Sequence, residues 1–279
     1  MRIRIALATS FLSLIVGIQC SSQEKLLPDA DKVIARLVDH EAQREKLGGG
    51  YIGSRRYVLE NLRLNKKAEM VVTVRCDGNG RKRFDVKSEQ GWNSANKHVL
   101  QKMLESEEET SRPEMRPITR ISLDNYAFDL LGRESLDGRP AYVLRVSPKR
   151  EDKYLFEGQI WVDAEDFALV RVEGQPAKNP SFWTHNVHFV ARYQKAGDFW
   201  FPVSTESVAE ARIFGETNVR IEYFDYLPNS ELSKCATARA PTAGFADPPE
   251  GSQVFVPNSN TAVNATVSRQ LPKTLCPTP

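Results

Sequence analysis

The stretch Ala68-Glu-Met-Val-Val-Thr-Val-Arg-Cys76, followed at once by Asp77-Gly-Asn-Gly80, decides the fold of this chain. Small or apolar side chains occupy every second position from 68 to 76, and the positions between them are mostly polar. A period of two is that of a β-strand with one buried face and one mostly solvated face. The Asp-Gly-Asn-Gly sequence is typical of a tight turn, so Arg83 to Val86 is predicted to return as an antiparallel strand.

The same alternation recurs over most of the chain. The further predicted strands are Arg56 to Leu64, Ala141 to Val146, Tyr154 to Val162, Ala168 to Glu173, Asn186 to Tyr193, Phe199 to Val208 and Thr217 to Tyr226. Short turns join several of these strands, which makes consecutive strands antiparallel neighbours. We expect nine to eleven strands in a meander, and an antiparallel sheet of that size must curl or close.

Two amphipathic helices interrupt the strands. The first begins near Pro28-Asp-Ala-Asp31, where either aspartate can cap it, and ends at Gly48-Gly-Gly50. The second spans about Ser94 to Glu109 and ends in an acidic run that is predicted to be solvated. A short third helix is favoured within Ser122 to Leu131, leading into a strand. The predicted fold class is therefore mainly β (α+β), with a curved antiparallel sheet that forms an incomplete β-barrel and is covered by two or three helices.

The concave face of such a sheet must be filled by side chains, by the helices or by a ligand. If the helices leave volume unfilled, an apolar cavity remains. The candidate lipid-binding lining consists of Met70, Val72, Val74, Tyr142, Leu144, Val146, Ile160, Val162, Val187, Phe189, Tyr193, Val219, Ile221 and Tyr223. The candidate helical lid consists of Val33, Ile34, Leu37, Val38, Val99, Leu100, Met103 and Leu104. Ordinary core packing is the alternative for each of these residues.

The N-terminus has the composition of an export signal. Met1 to Arg4 is basic, and Ile5 to Ile18 is apolar but shorter than the ~20 residues that span a bilayer. Cys20-Ser-Ser22 is small and polar. This order predicts a signal peptide over residues 1–22 and a periplasmic location. A signal anchor and lipid attachment at Cys20 are the alternatives, and Gln19 is a poor match to the small residue that attachment requires.

A single domain is predicted over residues 23–227. Residues 228–279 are rich in Pro, Ser, Thr, Ala and Asn and are predicted to form a disordered or loosely tethered tail. Cys76 ends a strand on its apolar face, so we expect it to be buried. Cys235 and Cys276 flank the tail and could form a disulfide in an oxidising compartment.

Charge and motifs argue against several functional classes. The chain has 38 Lys and Arg against 36 Asp and Glu, which is too balanced for a nucleic-acid-binding protein. His185 and His188 are three residues apart and would face opposite sides of a strand, so no metal site is predicted. Asp163-Ala-Glu-Asp166 is predicted to be a solvated turn and not an acid–base pair. We expect no cofactor and no enzymatic activity.

Two hairpin sequences carry a resemblance to a known family. They are Gly158-Gln-Ile-Trp-Val-Asp-Ala-Glu-Asp-Phe-Ala-Leu-Val-Arg-Val-Glu173 and Tyr193-Gln-Lys-Ala-Gly-Asp-Phe-Trp-Phe-Pro-Val203. Together they resemble the outer membrane lipoprotein-sorting proteins, which share the fold of the periplasmic lipoprotein carrier and its receptor (LolA/LolB-like). Aromatic residues of the second hairpin, Phe199-Trp-Phe201, either pack the hairpin or contact a lipid or partner.

The resemblance implies an incomplete barrel with a helical lid over an apolar cavity that holds acyl chains. The carrier's functional arginine has three possible counterparts here, Arg55, Arg56 and Arg63. The predicted partners are a lipid or an acylated lipoprotein and a second envelope protein, with peripheral membrane contact and a monomeric state. The alternative function is an envelope interaction or regulatory module with a filled core and no lipid.

Overall fold

Ten antiparallel strands form one sheet, and helices cover one of its faces. This architecture is that of a computed structural model, which describes residues 27–179, 184–197, 199–212 and 215–229. The predicted signal peptide, Cys20, Cys235 and Cys276 lie outside the described residues, as does the predicted tail from residue 230 onward.

The strands and helices follow the chain in a simple order. The strands are β1 (Tyr51–Asn61), β2 (Lys66–Cys76), β3 (Lys82–Gly91), β4 (Tyr126–Leu136), β5 (Arg139–Pro148), β6 (Phe156–Asp163), β7 (Leu169–Pro176), β8 (Thr184–Ala196), β9 (Phe199–Ala211) and β10 (Gly215–Pro228). The helices are α1 (Ala30–Gly48), α2 (Asn93–Ala95), a π-helical turn (Asn96–Leu100), α3 (Gln101–Thr110) and α4 (Arg116–Thr119). Because α2, the π-helical turn and α3 are continuous, they are called helical segment 93–110 below.

The sheet has the strand order β3-β2-β1-β10-β9-β8-β7-β6-β5-β4. It is a meander in which the first strand also pairs with the last, through Tyr57 opposite Ile221. Strands β3 and β4 form the two edges, so the described sheet does not close into a barrel. This confirms the predicted fold class, and ten strands fall within the predicted range.

One row of directly paired residues crosses nine of the ten strands. From β2 to β4 through every intervening strand, it runs Met70, Tyr57, Ile221, Thr205, Ala191, Val172, Ile160, Leu144, Leu130. Residues directly opposite each other in paired strands point to the same side of the sheet. This row therefore marks a single face, which is called the inner face below.

The helices cover the two ends of the inner face through separate core clusters. The α1 cluster joins Val33, Ile34 and Leu37 to strand residues that include Leu144 and Ile160. The segment 93–110 cluster joins Ala95, Leu100 and Leu104 to strand residues that include Tyr57, Met70 and Ile221. Because both clusters contain members of the row, both helices lie on the same side of the sheet.

The helix ends follow from local sequence. The side chain of Asp29 accepts a hydrogen bond from the backbone N–H of Asp31, and Gly49 ends α1 in the left-handed conformation that glycine favours (φ 58°). The short helix α4 precedes the predicted 122–131 region, because Pro117 suits a first helical turn and β4 already begins at Tyr126. Among the described helices, none is both long and apolar enough to cross a membrane.

Truncation of Ile160 to alanine tests the importance of the inner-face core. The side chain is fully buried in the α1 cluster. We expect Ile160→Ala to lower the free energy of unfolding by about 2–5 kcal/mol, measured by urea denaturation, because the substitution leaves a cavity. The matched control is Val208→Ala on β9, where the side chain is 42% exposed, and it should cost less than about 1 kcal/mol. Equal losses for both variants would contradict the placement of the core.

Candidate functional site

A cavity of about 800 Å³ opens on the inner face between α1 and helical segment 93–110. It lies between the two core clusters, where the row across the sheet reaches the small side chain of Thr205 on β9. Lining residues come from α1, α3, α4 and strands β1, β2, β3, β7, β8, β9 and β10. The gap exists because each helix packs on its own cluster and the strand between the clusters carries no bulky residue at this point of the row.

An ionic cluster around one buried arginine forms part of the cavity wall. Arg55 on β1 is 1% exposed, and its Nη1 donates to Glu107 Oε2 at 2.7 Å and to the hydroxyl of Tyr57 at 3.2 Å. Lys82 Nζ, at the start of β3, donates to the other carboxylate oxygen, Glu107 Oε1, at 2.7 Å. One carboxylate from α3 therefore pairs with two cations from the sheet.

The electrostatics keep all three groups charged at neutral pH. Burial would raise the pKa of Glu107, but the charges of Lys82 and Arg55 prevail and lower that pKa to about 2. Burial would lower the pKa of Lys82, yet the charge of Glu107 raises it above the usual lysine value. The pKa of Arg55 is raised for the same reason, against the effect of burial. The Arg55–Glu107–Lys82 cluster thus holds two positive charges and one negative charge.

Aromatic side chains from β1, β9 and β10 form a second wall of the cavity. The ring of Tyr226 stacks on Phe201 with centroids 4.5 Å apart and lies 5.2 Å from the ring of Tyr51. Phe199 continues the wall at 6.0 Å from Phe201. All four rings line the cavity. This aromatic wall (Tyr51, Phe199, Phe201 and Tyr226) offers a large apolar surface beside a charged one.

The second hairpin owes this arrangement to strand alternation. Phe199 and Phe201 face the cavity, whereas Trp200 between them is buried and its indole N–H donates to Asp166 at 2.9 Å. Successive side chains on a strand point to opposite faces. Trp200 therefore packs the hairpin, as one of the two interpretations of the sequence has it, and its two neighbours line the cavity, where a contact with a lipid or partner stays a prediction.

The structure brings three of the predicted lining and lid residues to the cavity. These are Tyr193, Tyr223 and Met103. Of the other predicted lining and lid residues, those that pack in the α1 cluster are Val33, Ile34, Leu37, Val38, Tyr142, Leu144, Val146, Ile160, Val162 and Phe189. Those that pack in the segment 93–110 cluster are Met70, Val72, Leu100, Leu104, Val219 and Ile221. A lipid contact for any of them stays a prediction.

Three predicted residues lie elsewhere. Val74 is fully buried on β2, and Val187 is half-buried on β8. Val99 is 39% exposed, although the sequence places it on the apolar face of the second helix. It belongs to the π-helical turn, whose wider winding changes the direction of side chains relative to a regular α-helix.

The three candidate arginines are separated by the structure. Arg55 faces the cavity, whereas Arg56 is on the outer face and pairs with Glu69 at 2.7 Å and with Glu222 at 3.4 Å. Arg63 lies in the turn between β1 and β2. A signal for Arg55 was present in the sequence, because it shares its side of β1 with Tyr57 and is a charged residue on an apolar face.

Glu107 and Lys82 were missed by the sequence analysis. Glu107 belongs to the acidic end of the second helix, which the sequence predicts to be solvated, but its side chain is only 28% exposed. Lys82 immediately follows the β2–β3 turn, where a lysine is unremarkable in sequence. The sequence around each residue does not reveal its ionic partner, because the partners are far apart in the chain: Arg55 is 52 residues away from Glu107.

The remaining polar candidates have structural roles. Asp163 is fully buried in the β6–β7 turn, where it accepts backbone N–H groups of Glu165 and Asp166 and pairs with Arg139 at 2.7 Å. On β8, the Nε2 atom of His188 lies 3.4 Å from the Oε1 atom of Glu173 on β7. Within the described part of the chain, no group of three His, Cys, Asp or Glu side chains could hold a metal ion.

Comparisons with known proteins find one family and several similar folds. A family model described as a family of unknown function (DUF5686) matches residues 43–229. No curated protein matches the sequence of this chain.

Three solved structures show the similarity in fold. A DUF1329 family protein from Desulfovibrio piger is 12% identical, with 72% of this chain and 94% of that chain covered and a TM-score of 0.38. A putative outer membrane lipoprotein-sorting protein domain from Vibrio parahaemolyticus is 14% identical, with 76% and 100% covered and a TM-score of 0.37. A LolA superfamily protein from Nitrosomonas europaea is 11% identical, with 73% and 97% covered and a TM-score of 0.36. The last two are of the kind that the hairpin sequences resemble.

Removal of the Glu107 charge tests the ionic cluster. We expect Glu107→Gln to lower the free energy of unfolding at pH 7 by about 3 kcal/mol, because it leaves the buried guanidinium of Arg55, and the half-buried ammonium of Lys82, without a counter-charge. The folded-state pKa of about 2 lies below the ordinary glutamate pKa of 4.5, so the stabilisation is complete above pH 4.5 and is lost as the pH falls toward 2. The free energy of unfolding of the Glu107→Gln variant, measured by urea denaturation, should therefore lack the decrease that the titration of Glu107 causes in this pH range.

The control for this prediction is Glu105→Gln on the same helix. Glu105 pairs with Lys102 at the surface, where the side chains are 62% and 66% exposed, and such pairs contribute about 0–1 kcal/mol. A Glu107→Gln variant as stable as the control at pH 7 would show that Glu107 does not balance the buried charge of Arg55.

Proposed function

The chain belongs to the family of unknown function DUF5686, and from the geometry of its cavity we propose that it binds an amphiphile, either a lipid or the acyl group of a lipoprotein. The ligand lies between the inner face of the sheet and the two helical covers. The proposed role is reversible binding and not catalysis. An exported chain meets such ligands in the cell envelope, so a role in carrying or sensing acylated molecules there is part of the proposal.

The observation that carries this proposal is the cavity itself. Its volume of about 800 Å³ lies within the roughly 300–1,000 Å³ of small-molecule sites. One wall is aromatic and another is ionic, so the cavity matches a molecule with both an apolar part and a polar part. An interaction module with a filled core is instead expected to have no open cavity between the two core clusters.

The energetics suit a carrier that must release its ligand. Burial of an acyl chain contributes about 0.8 kcal/mol per methylene. About ten buried methylenes therefore contribute roughly 8 kcal/mol, which corresponds to micromolar affinity before the costs of ordering are subtracted. Access between the helices leaves the core clusters intact, because each helix keeps its own cluster on the sheet.

The direct test is ligand binding by the purified chain. Lipids that co-purify with it are identified by mass spectrometry, and the neutral fluorescent probe phenylnaphthylamine is added and then displaced with long-chain lipids. The proposal requires a saturable probe signal that lipids displace. A chain that carries no lipid and binds no probe would support the interaction module with a filled core.

Occlusion of the cavity by a large side chain gives a specific prediction. Ser106 on α3 lines the cavity, and Ser106→Trp should fill part of it. We expect at least a tenfold loss of lipid affinity in the displacement assay, since several methylenes lose their buried surface. The control is Ser88→Trp on the edge strand β3, an exposed position outside the cavity lining, which should leave affinity within about twofold. Unchanged affinity for Ser106→Trp would exclude this cavity as the site.

A further inference from the structure

We propose that the ligand is anionic and that its carboxylate or phosphate head group binds against Arg55, Lys82 and Tyr226. This inference rests on the proposed function, because it assigns the chemistry of the ligand to the same cavity. It divides the cavity into an anion subsite at the ionic cluster and an apolar subsite along the aromatic wall.

The charge balance of the cluster is the first argument. Arg55 and Lys82 share the single carboxylate of Glu107, at 2.7 Å in each case. Within the cluster, two cations and one anion leave a net charge of +1 beside the cavity, and the cost of that charge is highest at Arg55, whose side chain is 2% exposed. A monoanionic head group restores neutrality.

Unpartnered donors are the second, independent argument. Arg55 is 1% exposed, and its Nε is buried with no hydrogen-bond acceptor among the described residues. The buried hydroxyl of Tyr226 also has no partner among them. Buried polar atoms nearly always have a partner in folded proteins, so two such donors on one cavity are suited to bind an oxygen acceptor that a ligand supplies. The oxygens of a carboxylate or phosphate accept from guanidinium, ammonium and hydroxyl groups alike.

Tyr226 connects the two subsites. Its ring belongs to the aromatic wall, stacked on Phe201 at 4.5 Å. Burial raises its pKa, so the hydroxyl remains a protonated donor, and the charges of Arg55 and Glu107 also act on it. An amphiphile whose head group binds at the cluster therefore places its tail along the aromatic wall.

Among the acidic residues of the lining, Glu107 acts most strongly on both Arg55 and Lys82. Asp77 is exposed in the β2–β3 turn, where its carboxylate accepts the backbone N–H groups of Asn79 and Arg81. Glu41 lines the cavity from α1, and Arg116 donates to the backbone oxygen of Asn79. The charges that act on Glu107 are those of Lys82 and Arg55.

Three ligands that share the same hydrocarbon tail but differ in head group test the anion subsite. Oleate, oleoyl lysophosphatidate and oleyl alcohol each displace phenylnaphthylamine from the full chain in parallel titrations. We expect at least one of the two anions to bind about tenfold or more tightly than the alcohol. The stronger anion identifies the head group as a carboxylate or a phosphate. Equal affinity of the alcohol and both anions overturns the inference but leaves the proposed function standing, whereas no displacement by any of the three overturns both.

Substitutions of two residues in the anion subsite provide a second test. Arg55→Met leaves Lys82 and Glu107 as a balanced pair, and it should reduce the preference for anions to about threefold or less with little change for the alcohol. Tyr226→Phe keeps the aromatic ring and should weaken only the anions. The control is Arg56→Met, the next arginine on β1, which faces the other side of the sheet. A full anion preference in both Arg55→Met and Tyr226→Phe overturns the inference.

Discussion

The pairing of β1 with β10 is the constraint on which the rest of the structure depends. It joins β1–β3, from the first part of the chain, to the continuous meander of β4–β10. Through this pairing the two core clusters lie on one inner face, and the cavity lies between them. The same register sets Arg55 opposite Tyr223, with the arginine guanidinium 4.8 Å from the tyrosine ring.

The site combines two departures from ordinary core packing. The inner face is apolar at both ends, but β9 contributes the small polar Thr205 at the point where the row passes the cavity. On β1, Arg55 occupies a position where an apolar residue would pack with less desolvation cost. Both departures weaken the core at the same place, which is the pattern expected where a sequence retains function at some expense of stability.

Much of the fold could be predicted from the sequence because its signals are local. The alternation at 68–76 and the turn at 77–80 correspond to β2 and the turn before β3, and Cys76 is buried as expected. Strand ends were less accurate: β1 spans Tyr51–Asn61 instead of 56–64, and it extends back to Tyr51 because that residue pairs with Pro228 at the end of β10. Of the candidate site, the sequence placed Tyr193, Tyr223 and Met103 at the cavity but assigned Glu107 to solvent.

The sequence by itself determined the elements, since strand period, turn residues, helix caps and apolar faces act over a few neighbouring residues. Only the tertiary structure decided which strand lies beside β1, where a helix leaves the sheet uncovered, and which charges meet. Arg56 reaches Glu222 across 166 positions, and Arg55 reaches Glu107 across 52. Such contacts have no local signature, because each partner has the composition of its own element and acquires its electrostatic role only when the sheet brings the two together.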